Sequence, residues 1–334
     1  MNKPYDLETV PCPLCGWEKG VVVISNAKEL YNGLNEYFSV EKCPNCEMAY
    51  TNPRPTEQTM SYFYPNDAGY YKPKVAVDKI LTDESSDLFN FLGSGFGYSM
   101  SKTNTASYLF WAKRWYLHRK SKLLHIPYWA HGGKLLDIGC SWGRYLRQME
   151  SLGWEVHGIE YNPQSVIYAR ESLGLTNVYE GRIEDIHLPD EKFDVVHMSM
   201  VLEHTHQPRS ALLKLQRTLK QGGQLIVSVP DFSGIEFRLF GRYCYALQVP
   251  QHLNYFTPVT LKKMLSEAGF VIESVTHQNV DRDLIASLSY SKKYIMIYKL
   301  LKNRIIRKYL VRPFVITLAL LGCTSRMSVY ARKA

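Results

Sequence analysis

With 334 residues, 46% of them hydrophobic, the chain is long enough for one large domain with its own core plus a small module. No uninterrupted apolar run reaches the roughly 18 to 20 residues of a membrane-spanning helix, and the polar start Met1–Asp6 predicts no signal peptide, so we expect a cytoplasmic location. The net charge of +9 comes from residues 281–334, which hold twelve Lys or Arg and two Asp and so carry +10; a nucleic-acid enzyme more often carries its basic residues around the active site.

Two cysteine pairs lie near the start of the chain, at Cys12 and Cys15 and at Cys43 and Cys46. Two C-x-x-C turns supply four thiolates, which is the ligand set of a closed, structural zinc site. Short apolar runs at 20–24 and 36–40 predict strands between the pairs. Residues 1–60 are therefore predicted to form a zinc ribbon that folds around its metal in a reducing compartment, with redox-active or free cysteine pairs as the alternative.

Residues 61–130 are predicted to form an aromatic connector and a helical lid. Tyrosines and prolines are dense at 50–55 and 62–65, and Tyr70 and Tyr71 follow. The tyrosines are expected either to pack on a pocket or to belong to a plain connector. A helix, a Gly/Ser loop at 93–97 and a second, aromatic and basic helix at about 107–124 come next.

From residue 131 onward, apolar strand segments alternate with helical ones, which predicts an α/β fold with a parallel sheet. Asn162 is a suitable N-cap and Pro163 a suitable first residue for one helix, and residues 221–223 are expected to stop another. The predicted strands are 134–138, 155–160, 177–180, 193–198, 224–230 and 270–276, and the predicted helices are 145–152, 163–171, 208–219 and 261–268.

The turn after the first of these strands is the most informative motif. Gly139 and Gly143 have the spacing G-x-x-x-G rather than the G-x-G-x-x-G of dinucleotide folds, and Asp137 precedes them. A carboxylate there would repel a pyrophosphate but suits a cationic or hydroxyl-bearing ligand. Glu160, about twenty residues further on, can accept hydrogen bonds from ribose hydroxyls, as in NAD and S-adenosylmethionine (SAM) sites alike. The alternative is a glycine turn without a ligand.

The segment Asp137–Gly143 resembles motif I of the class I SAM-dependent methyltransferases, usually D-h-G-C-G-x-G, with Ser141 in place of the middle glycine. The segments 193–196, 201–204 and 219–223 are similar to sequence segments that follow motif I in the same family. The resemblance covers about residues 131–280 and implies a Rossmann-like seven-stranded methyltransferase sheet, closed by an antiparallel strand at 328–331. By this resemblance the residues that wrap the methionine and ribose of SAM are Asp137, Gly139, Cys140, Ser141, Gly143 and Glu160.

The adenine end departs from the family pattern. Arg182 stands where an Asp is common, so the resemblance leaves the backbone N–H of Ile183 for adenine, and Asp185 or Glu184 as a substitute for the missing carboxylate. The alternative is that both acids are solvated residues ahead of the next strand.

The loop 249–257 is the second informative stretch, with His252 and Tyr255 three residues apart and Thr257 as a predicted N-cap. A histidine with a pKa of about 6.5 can take a proton from a hydroxyl or an acidic carbon at neutral pH. The loop resembles that of sugar methyltransferases with a zinc-ribbon N-terminus, including C-methyltransferases of deoxysugar pathways, in which it serves catalysis. We predict His252 as the base with Tyr255 assisting, and His204 as a further candidate; the alternative is a structural histidine.

Residues 281–334 are predicted to form a basic helical segment and the final strand. Within 284–322 apolar and basic residues alternate at helical spacing, which indicates either peripheral contact with the inner face of a membrane or a helical cap that packs on the sheet or on another subunit.

Together these observations predict a SAM-dependent methyltransferase that acts on a sugar or glycan intermediate, nucleotide- or lipid-linked, in surface-polysaccharide or natural-product assembly. This acceptor rests on the resemblance. One alternative is an rRNA base methyltransferase with a zinc-binding module, although the residues outside the tail are nearly neutral, whereas RNA binding depends on phosphate neutralisation. The other is a non-catalytic methyltransferase-fold scaffold, against which the intact Asp137, Gly139, Gly143 and Glu160 argue.

Overall fold

A computed structural model of the chain describes residues 4–30, 32–64, 91–92, 96–98, 110–130 and 132–334. Tyr70 and Tyr71, the first predicted helix of 75–130 and most of its Gly/Ser loop lie outside these residues. The strands, in chain order, are β1 Leu7–Glu8, β2 Val21–Lys28, β3 Tyr37–Lys42, β4 Ala49–Thr51, β5 Arg54–Pro55, β6 Lys134–Ile138, β7 Glu155–Glu160, β8 Val178–Glu180, β9 Phe193–Ser199, β10 Leu219–Pro230, β11 Asn254–Tyr255, β12 Phe270–His277 and β13 Arg326–Lys333.

The helices flank these strands. They are α1 Phe110–Leu123, α2 Arg144–Ser151, α3 Pro163–Glu171, α4 Pro208–Thr218, α5 Ile235–Phe240, α6 Pro258–Glu267, α7 Asp281–Ser289, α8 Ile295–Leu301, α9 Arg304–Ile306 and α10 Arg312–Leu320. Single turns of 3-10 helix at 60–63, 202–204, 241–243 and 292–294 and a π-helical stretch at Arg307–Val311 complete the pattern.

Seven strands form the main sheet in the order β12-β13-β10-β9-β6-β7-β8. β6 pairs in parallel with β7 and with β9, and β7 pairs in parallel with β8. Leu135, Leu136 and Ile138 of β6 are all buried, as a central parallel strand requires. The predicted α/β methyltransferase fold with a seven-stranded sheet is confirmed, and the final strand takes its place between β10 and β12.

Local sequence signals account for where several helices begin. The Asn162 side chain accepts the Ser165 N–H at 2.9 Å, and Pro163 is the first residue of α3, as predicted. Thr257 caps α6 in a reciprocal pair with Thr260. With Pro258 as its first residue, α6 begins three residues before the predicted start at Leu261.

One sequence expectation is wrong. Residues 221–223 were expected to stop the helix 208–219, but α4 ends at Thr218, β10 begins at Leu219, and Gly222 takes φ +70° inside the strand. A glycine tolerates this conformation without the steric cost of a Cβ, so the strand continues through it. On α1, Trp115 and Tyr116 are exposed.

The chain divides into two compact units, one of residues 1–68, 200–213 and 227–329 and a second of residues 69–199, 214–226 and 330–334. We refer to them as the first and the second unit. The first has a core around Phe38, Phe63 and Leu253. The second has a core around Leu135, Leu146 and Trp154. The predicted domain boundaries remain a prediction; they are 1–60, 61–130, 131–280 and 281–334.

A second, four-stranded sheet belongs to the first unit, in the order β11-β4-β3-β2. β4 pairs antiparallel with β3 of the cysteine-rich segment and with β11 of the His252 loop. The cysteine-rich segment and the predicted catalytic loop are therefore parts of one sheet.

Candidate functional site

The glycine turn between β6 and α2, in the second unit, has three residues in left-handed conformations. Gly139, Ser141 and Gly143 have φ of +71°, +49° and +78°. The N–H groups of Gly139 and Cys140 both donate to the Ile159 carbonyl, at 2.8 and 3.1 Å. A serine at positive φ costs roughly 1 kcal/mol or more, and such strain is concentrated at functional sites.

Glu160 holds this turn in place. One carboxylate oxygen accepts the Ser141 N–H at 2.8 Å, and the other accepts the Asn162 N–H at 2.8 Å. Burial raises the pKa of Glu160, and the two N–H groups oppose that shift. The carboxylate thus connects the glycine turn with the start of α3. Its remaining lone pairs can accept hydrogen bonds from hydroxyl groups.

Close packing explains two of the glycines. A Cβ on Gly143 would lie 2.6 Å from Cδ1 of Leu175, and one on Gly158 would lie 2.7 Å from Sγ of Cys140. The Cys140 side chain is buried, and burial raises the pKa of its thiol. Its side chain therefore packs on β7, while its backbone N–H helps to form the turn.

Asp137 lies in a buried chain of polar groups. Its Oδ1 is 2.6 Å from Nδ1 of His197, and Nε2 of His197 is 2.9 Å from Nδ1 of His125. Burial, followed by the neighbouring His197, lowers the pKa of His125 to about 3. Neutral His125 can donate to His197, which in turn donates to the carboxylate. Tyr145 stacks on His197 with ring centroids 4.0 Å apart.

The two residues predicted at the adenine end differ in exposure. Ile183 is buried, and its carbonyl accepts the Lys214 ammonium at 2.8 Å. The Asp185 side chain is exposed and lies 3.8 Å from the Arg182 guanidinium. The structure therefore supplies an apolar surface at Ile183, whereas the carboxylate of Asp185 faces solvent. Both assignments stay predictions.

The first unit contains a cluster of two histidines and a carboxyl group. His204 and Glu203 lie on the 3-10 turn at 202–204, and His252 lies before β11. The two imidazole rings pack edge to face, with centroids 4.6 Å apart. Nδ1 of His204 is 2.8 Å from the Gln251 carbonyl, and Nδ1 of His252 is 2.9 Å from the Ala246 carbonyl. Because a carbonyl only accepts, both rings carry their proton on Nδ1 and have a lone pair on Nε2.

The burial of the two histidines differs. His204 is partly exposed, and its Nδ1 also lies 2.8 Å from the Tyr64 hydroxyl. Burial lowers its pKa to about 4. His252 is fully buried, and burial, followed by the neighbouring His204, lowers its pKa well below the usual value. The expectation that His252 titrates near pH 6.5 is therefore wrong, because desolvation disfavours the imidazolium.

Glu203 is fully buried, and neither of its carboxylate oxygens has a hydrogen-bond partner among the described residues. Burial raises its pKa to about 8. Ligand atoms of Glu203, His204 and His252 all lie within 4.8 Å of one another, so these three side chains could also hold a divalent cation.

Tyr255, the predicted assistant, is fully buried. Its hydroxyl lies 3.0 Å from the carbonyls of both Leu247 and His252 and 3.2 Å from Oγ1 of Thr51. Burial raises its pKa above the usual value. This hydroxyl anchors the loop, and a role in proton transfer stays a prediction.

The four cysteines converge as their spacing predicts. Sγ of Cys12 lies 3.4 Å from that of Cys46, Sγ of Cys15 lies 3.5 Å from that of Cys43, and all four sulfurs lie within 4.8 Å of one another. Four thiolates around a tetrahedral zinc ion would be about 3.8 Å apart, since a Zn–S bond is about 2.3 Å long. The donor set and its dimensions therefore fit one zinc ion.

Three residues of the site are not predicted from the sequence. His197 is directly beside Asp137 in the register of β6 and β9. A histidine inside the apolar run 193–198 was the available signal. Glu203 lies next to His204, and the sequence indicates it only as part of the stretch 201–204 that resembles the methyltransferase family. Tyr64 could not be assigned, because nothing local indicates its contact with His204, 140 residues away.

Comparison with known proteins supports the methyltransferase fold of the main sheet. A model of the methyltransferase domain matches residues 110–275. A mitochondrial ubiquinone biosynthesis O-methyltransferase of Schizosaccharomyces pombe is 38% identical over 104 residues, which cover 29% of this chain and 38% of that protein. A malonyl-[acyl-carrier protein] O-methyltransferase of Serratia marcescens is 27% identical over 129 residues, which cover 39% of this chain and 50% of that protein.

The chain thus spans half or less of the length of these relatives. Among solved structures, an S-adenosylmethionine-dependent methyltransferase from Mesorhizobium loti is 19% identical, with a TM-score of 0.43, and the match covers 60% of this chain and 91% of that one.

Proposed function

We propose that this chain, whose residues 110–275 form a methyltransferase domain, transfers the methyl group of SAM to a sugar or glycan intermediate and holds one structural zinc ion. The observation that carries the SAM assignment is the glycine turn held by Glu160. Its glycines let the backbone approach a ligand closely, and the Glu160 carboxylate suits ribose hydroxyls. The G-x-x-x-G spacing and the carboxylate of Asp137 favour a ligand with a sulfonium cation over one with a pyrophosphate.

Methyl transfer needs alignment of the donor with the acceptor and one group that takes a proton. His204 fills the second role in this proposal. Its Nδ1–H bond to the Gln251 carbonyl orients the ring and leaves the Nε2 lone pair to take the proton. The acceptor oxygen or carbon loses that proton and forms a bond to the methyl carbon. The bond from the methyl carbon to sulfur breaks, and S-adenosylhomocysteine leaves.

Exposure favours His204 over His252 as this base. His204 is partly exposed, whereas His252 is fully buried and packs against the ring of His204. His252 then supports His204 from behind and is a positioning residue. Burial lowers the pKa of His204 to about 4, so its ring is neutral and its Nε2 lone pair is unprotonated throughout the physiological range.

The sugar or glycan acceptor is carried over from the sequence resemblance. The relatives named above are O-methyltransferases, which supports oxygen as the atom that accepts the methyl group. The second candidate function is methylation of a quinone-precursor hydroxyl, because the 38% identical relative is a ubiquinone biosynthesis O-methyltransferase. Turnover of SAM with a panel of nucleotide-linked sugars, lipid-linked sugars and catechols distinguishes the two.

The zinc ion has a structural role in this proposal. Cys12, Cys15, Cys43 and Cys46 would hold it with all four coordination positions filled, so it would join the two cysteine turns and supply folding free energy to a small sheet.

A matched pair of variants tests the base. Asn retains an N–H near the position of Nδ1 but lacks the Nε2 lone pair. His204→Asn should lower kcat about 100-fold or more, while the Kd for SAM stays within about two-fold. His252→Asn should lower kcat less than about ten-fold. Isothermal titration with SAM and a coupled assay of S-adenosylhomocysteine release measure the two quantities.

The reverse order of effects would assign the base to His252. An unchanged kcat in both variants would show that neither histidine takes part in proton transfer. A wild-type chain that binds neither SAM nor S-adenosylhomocysteine would contradict the methyltransferase assignment itself and favour the scaffold alternative.

A further inference from the structure

The helical segment 292–321 of the first unit presents an unusual surface. Among the described residues 28 large apolar side chains are exposed, and eleven of them lie in the 27-residue stretch 295–321. Met296, Ile305, Tyr309 and Leu321 are each at least two-thirds exposed. Scattered exposed apolar residues are ordinary, but such a concentration indicates an interaction surface. We call the exposed side chains of 292–321 the basic apolar surface.

The arrangement of α9, the π-helical stretch and α10 explains this surface. Val311, Val315 and Ala319, spaced by four residues, are buried and attach the helix to the core of the unit. Leu310, Phe314 and Leu321 lie outside that buried stripe and are exposed. The helix is thus apolar on both sides, and only one side is covered by its own unit. The alternative that these side chains cap the sheet of their own chain does not hold for them.

The charge of the segment is of one sign. Residues 292–321 contain eight Lys or Arg and no Asp or Glu. The nearest acids in the chain are already paired, Asp281 with Arg307 at 2.7 Å and Asp283 with the buried Arg326. Six basic side chains, all exposed, are not part of the ion pairs with Asp281: Lys292, Lys293, Lys299, Lys302, Arg304 and Lys308.

We infer that the basic apolar surface docks on an anionic lipid bilayer, with the apolar side chains in the acyl boundary and the lysines at the headgroups. Apolar burial and electrostatic attraction add in such binding. The charge argues against a second copy of the chain as the occupant. A two-fold dimer would place the same surface against itself and bring like charges together. No helix among the described residues is long and apolar enough to span a bilayer, so the contact lies in the interface.

Vesicle flotation with the full chain tests this inference. The chain should float with phosphatidylcholine vesicles that contain 30% phosphatidylglycerol and bind pure phosphatidylcholine at least ten-fold more weakly. Raising the salt concentration from 0.05 to 0.5 M should weaken the binding, because the attraction is screened. Each Lys→Gln change at Lys299 or Lys302 should lower the partition coefficient about five-fold.

A matched pair of variants separates the surface from general hydrophobicity. Leu310→Ser with Phe314→Ser should abolish flotation, whereas Val259→Ser with Val271→Ser, two exposed apolar residues outside the segment, should leave it unchanged. All four side chains are exposed, so both double variants should keep the wild-type melting temperature, and SAM titration gives a second check of folding.

Three outcomes would overturn the inference. One is no flotation of the wild-type chain with anionic vesicles. Another is equal binding by the Leu310/Phe314 double variant. The third is a dimer in sedimentation velocity that this double variant dissociates, because it would assign the surface to a second copy of the chain. None of these results bears on methyl transfer, which the assay with SAM measures separately.

Discussion

At the scale of single residues, Glu203 is the group whose chemistry depends most on its surroundings. It is fully buried, and neither oxygen has a hydrogen-bond partner among the described residues. A buried, unpaired carboxylate is costly, so the neutral acid is favoured and the pKa rises to about 8. Its neighbours His204 and His252 are shifted in the opposite direction for the same reason, since burial disfavours their charged form.

This shift predicts how Glu203 affects stability as pH changes. In the unfolded chain the carboxyl has a pKa of about 4.3, so between about pH 4.5 and 8 the folded state binds more protons than the unfolded one at this site. The free energy of unfolding therefore falls as pH rises through this window. Glu203→Gln does not titrate, and its stability relative to wild type should increase from pH 5 to pH 8 and then level off. Urea unfolding at pH 5, 6.5, 8 and 9 measures the difference.

Glu267→Gln, at an exposed position on α6, is the control and should give a constant difference from wild type. A difference between Glu203→Gln and wild type that does not vary with pH would mean that Glu203 is ionised in the folded chain, for example because a cation is bound to it with His204 and His252.

At the scale of structural elements, the same turn is built twice in the cysteine-rich segment. Gly16 N–H donates to the Cys12 carbonyl and Glu47 N–H donates to the Cys43 carbonyl, each at 2.9 Å. Gly16 and Glu47, each directly after a second cysteine, have φ of +74° and +64°. The glycine turn after β6 is the corresponding case in the main sheet. In both places residues with left-handed backbone conformations make the turn tight. The side chains or backbone N–H groups of the turn therefore point toward one common position.

The glycine turn gives a prediction with an internal control. Gly143 and Gly174 both have positive φ, +78° and +71°, but a Cβ on Gly143 would lie 2.6 Å from Leu175, whereas nothing lies within 4 Å of one on Gly174. Gly174→Ala should cost about 1 kcal/mol from backbone strain alone. Gly143→Ala should cost a further 1 to 3 kcal/mol, roughly, from overpacking.

Gly143→Ala should also weaken SAM binding at least ten-fold, because the turn must shift, while Gly174→Ala leaves the Kd unchanged. Denaturant unfolding and calorimetry measure both effects. Equal losses of stability in the two variants would show that the Leu175 contact is relieved at no cost.

At the scale of the whole molecule, the four-stranded sheet of the first unit connects distant parts of the sequence. Asn254 and Tyr255 of β11 pair with Tyr50 and Ala49 of β4. The Thr51 hydroxyl donates to the His252 carbonyl at 2.8 Å. The proposed zinc segment therefore stabilises the same sheet that holds the loop of His252.

Loss of the proposed metal should consequently act at a distance from the cysteines. Cys43→Ser should lower the zinc content from one ion per chain to near zero and lower the melting temperature. It should also lower kcat more than the affinity for SAM, since β4 supports the loop next to His204. Elemental analysis, thermal unfolding and titration with SAM measure these quantities.

Cys323→Ser, at a cysteine outside the cluster, is the control and should retain zinc. An unchanged zinc content in Cys43→Ser would contradict the proposed metal site. A lost ion with an unchanged kcat would leave the site in place but remove its connection to the catalytic loop.

The sequence by itself determined the features that depend on local chemistry. The α/β sheet, the N-cap at Asn162, the four converging cysteines and the turn at 139–143 all follow from spacing and from residue types whose preferences act over a few neighbours. The pairing of Asp137 with His197 was not predicted, because it depends on which strand lies beside β6.

Only the tertiary structure decided the features that depend on burial and on distant contacts. His204 and His252 are both histidines near the ends of strands, and a sequence contains nothing that ranks their exposure. The structure buries His252 and leaves His204 partly exposed beside Tyr64, and it gives the carboxylate of Glu203 no hydrogen-bond partner within the described part of the chain. Likewise, the pattern of 292–321 fitted a packed cap as well as an exposed surface, and only its accessibility distinguishes the two. Desolvation is set by atoms far apart in the chain, so it appears only when the chain has folded.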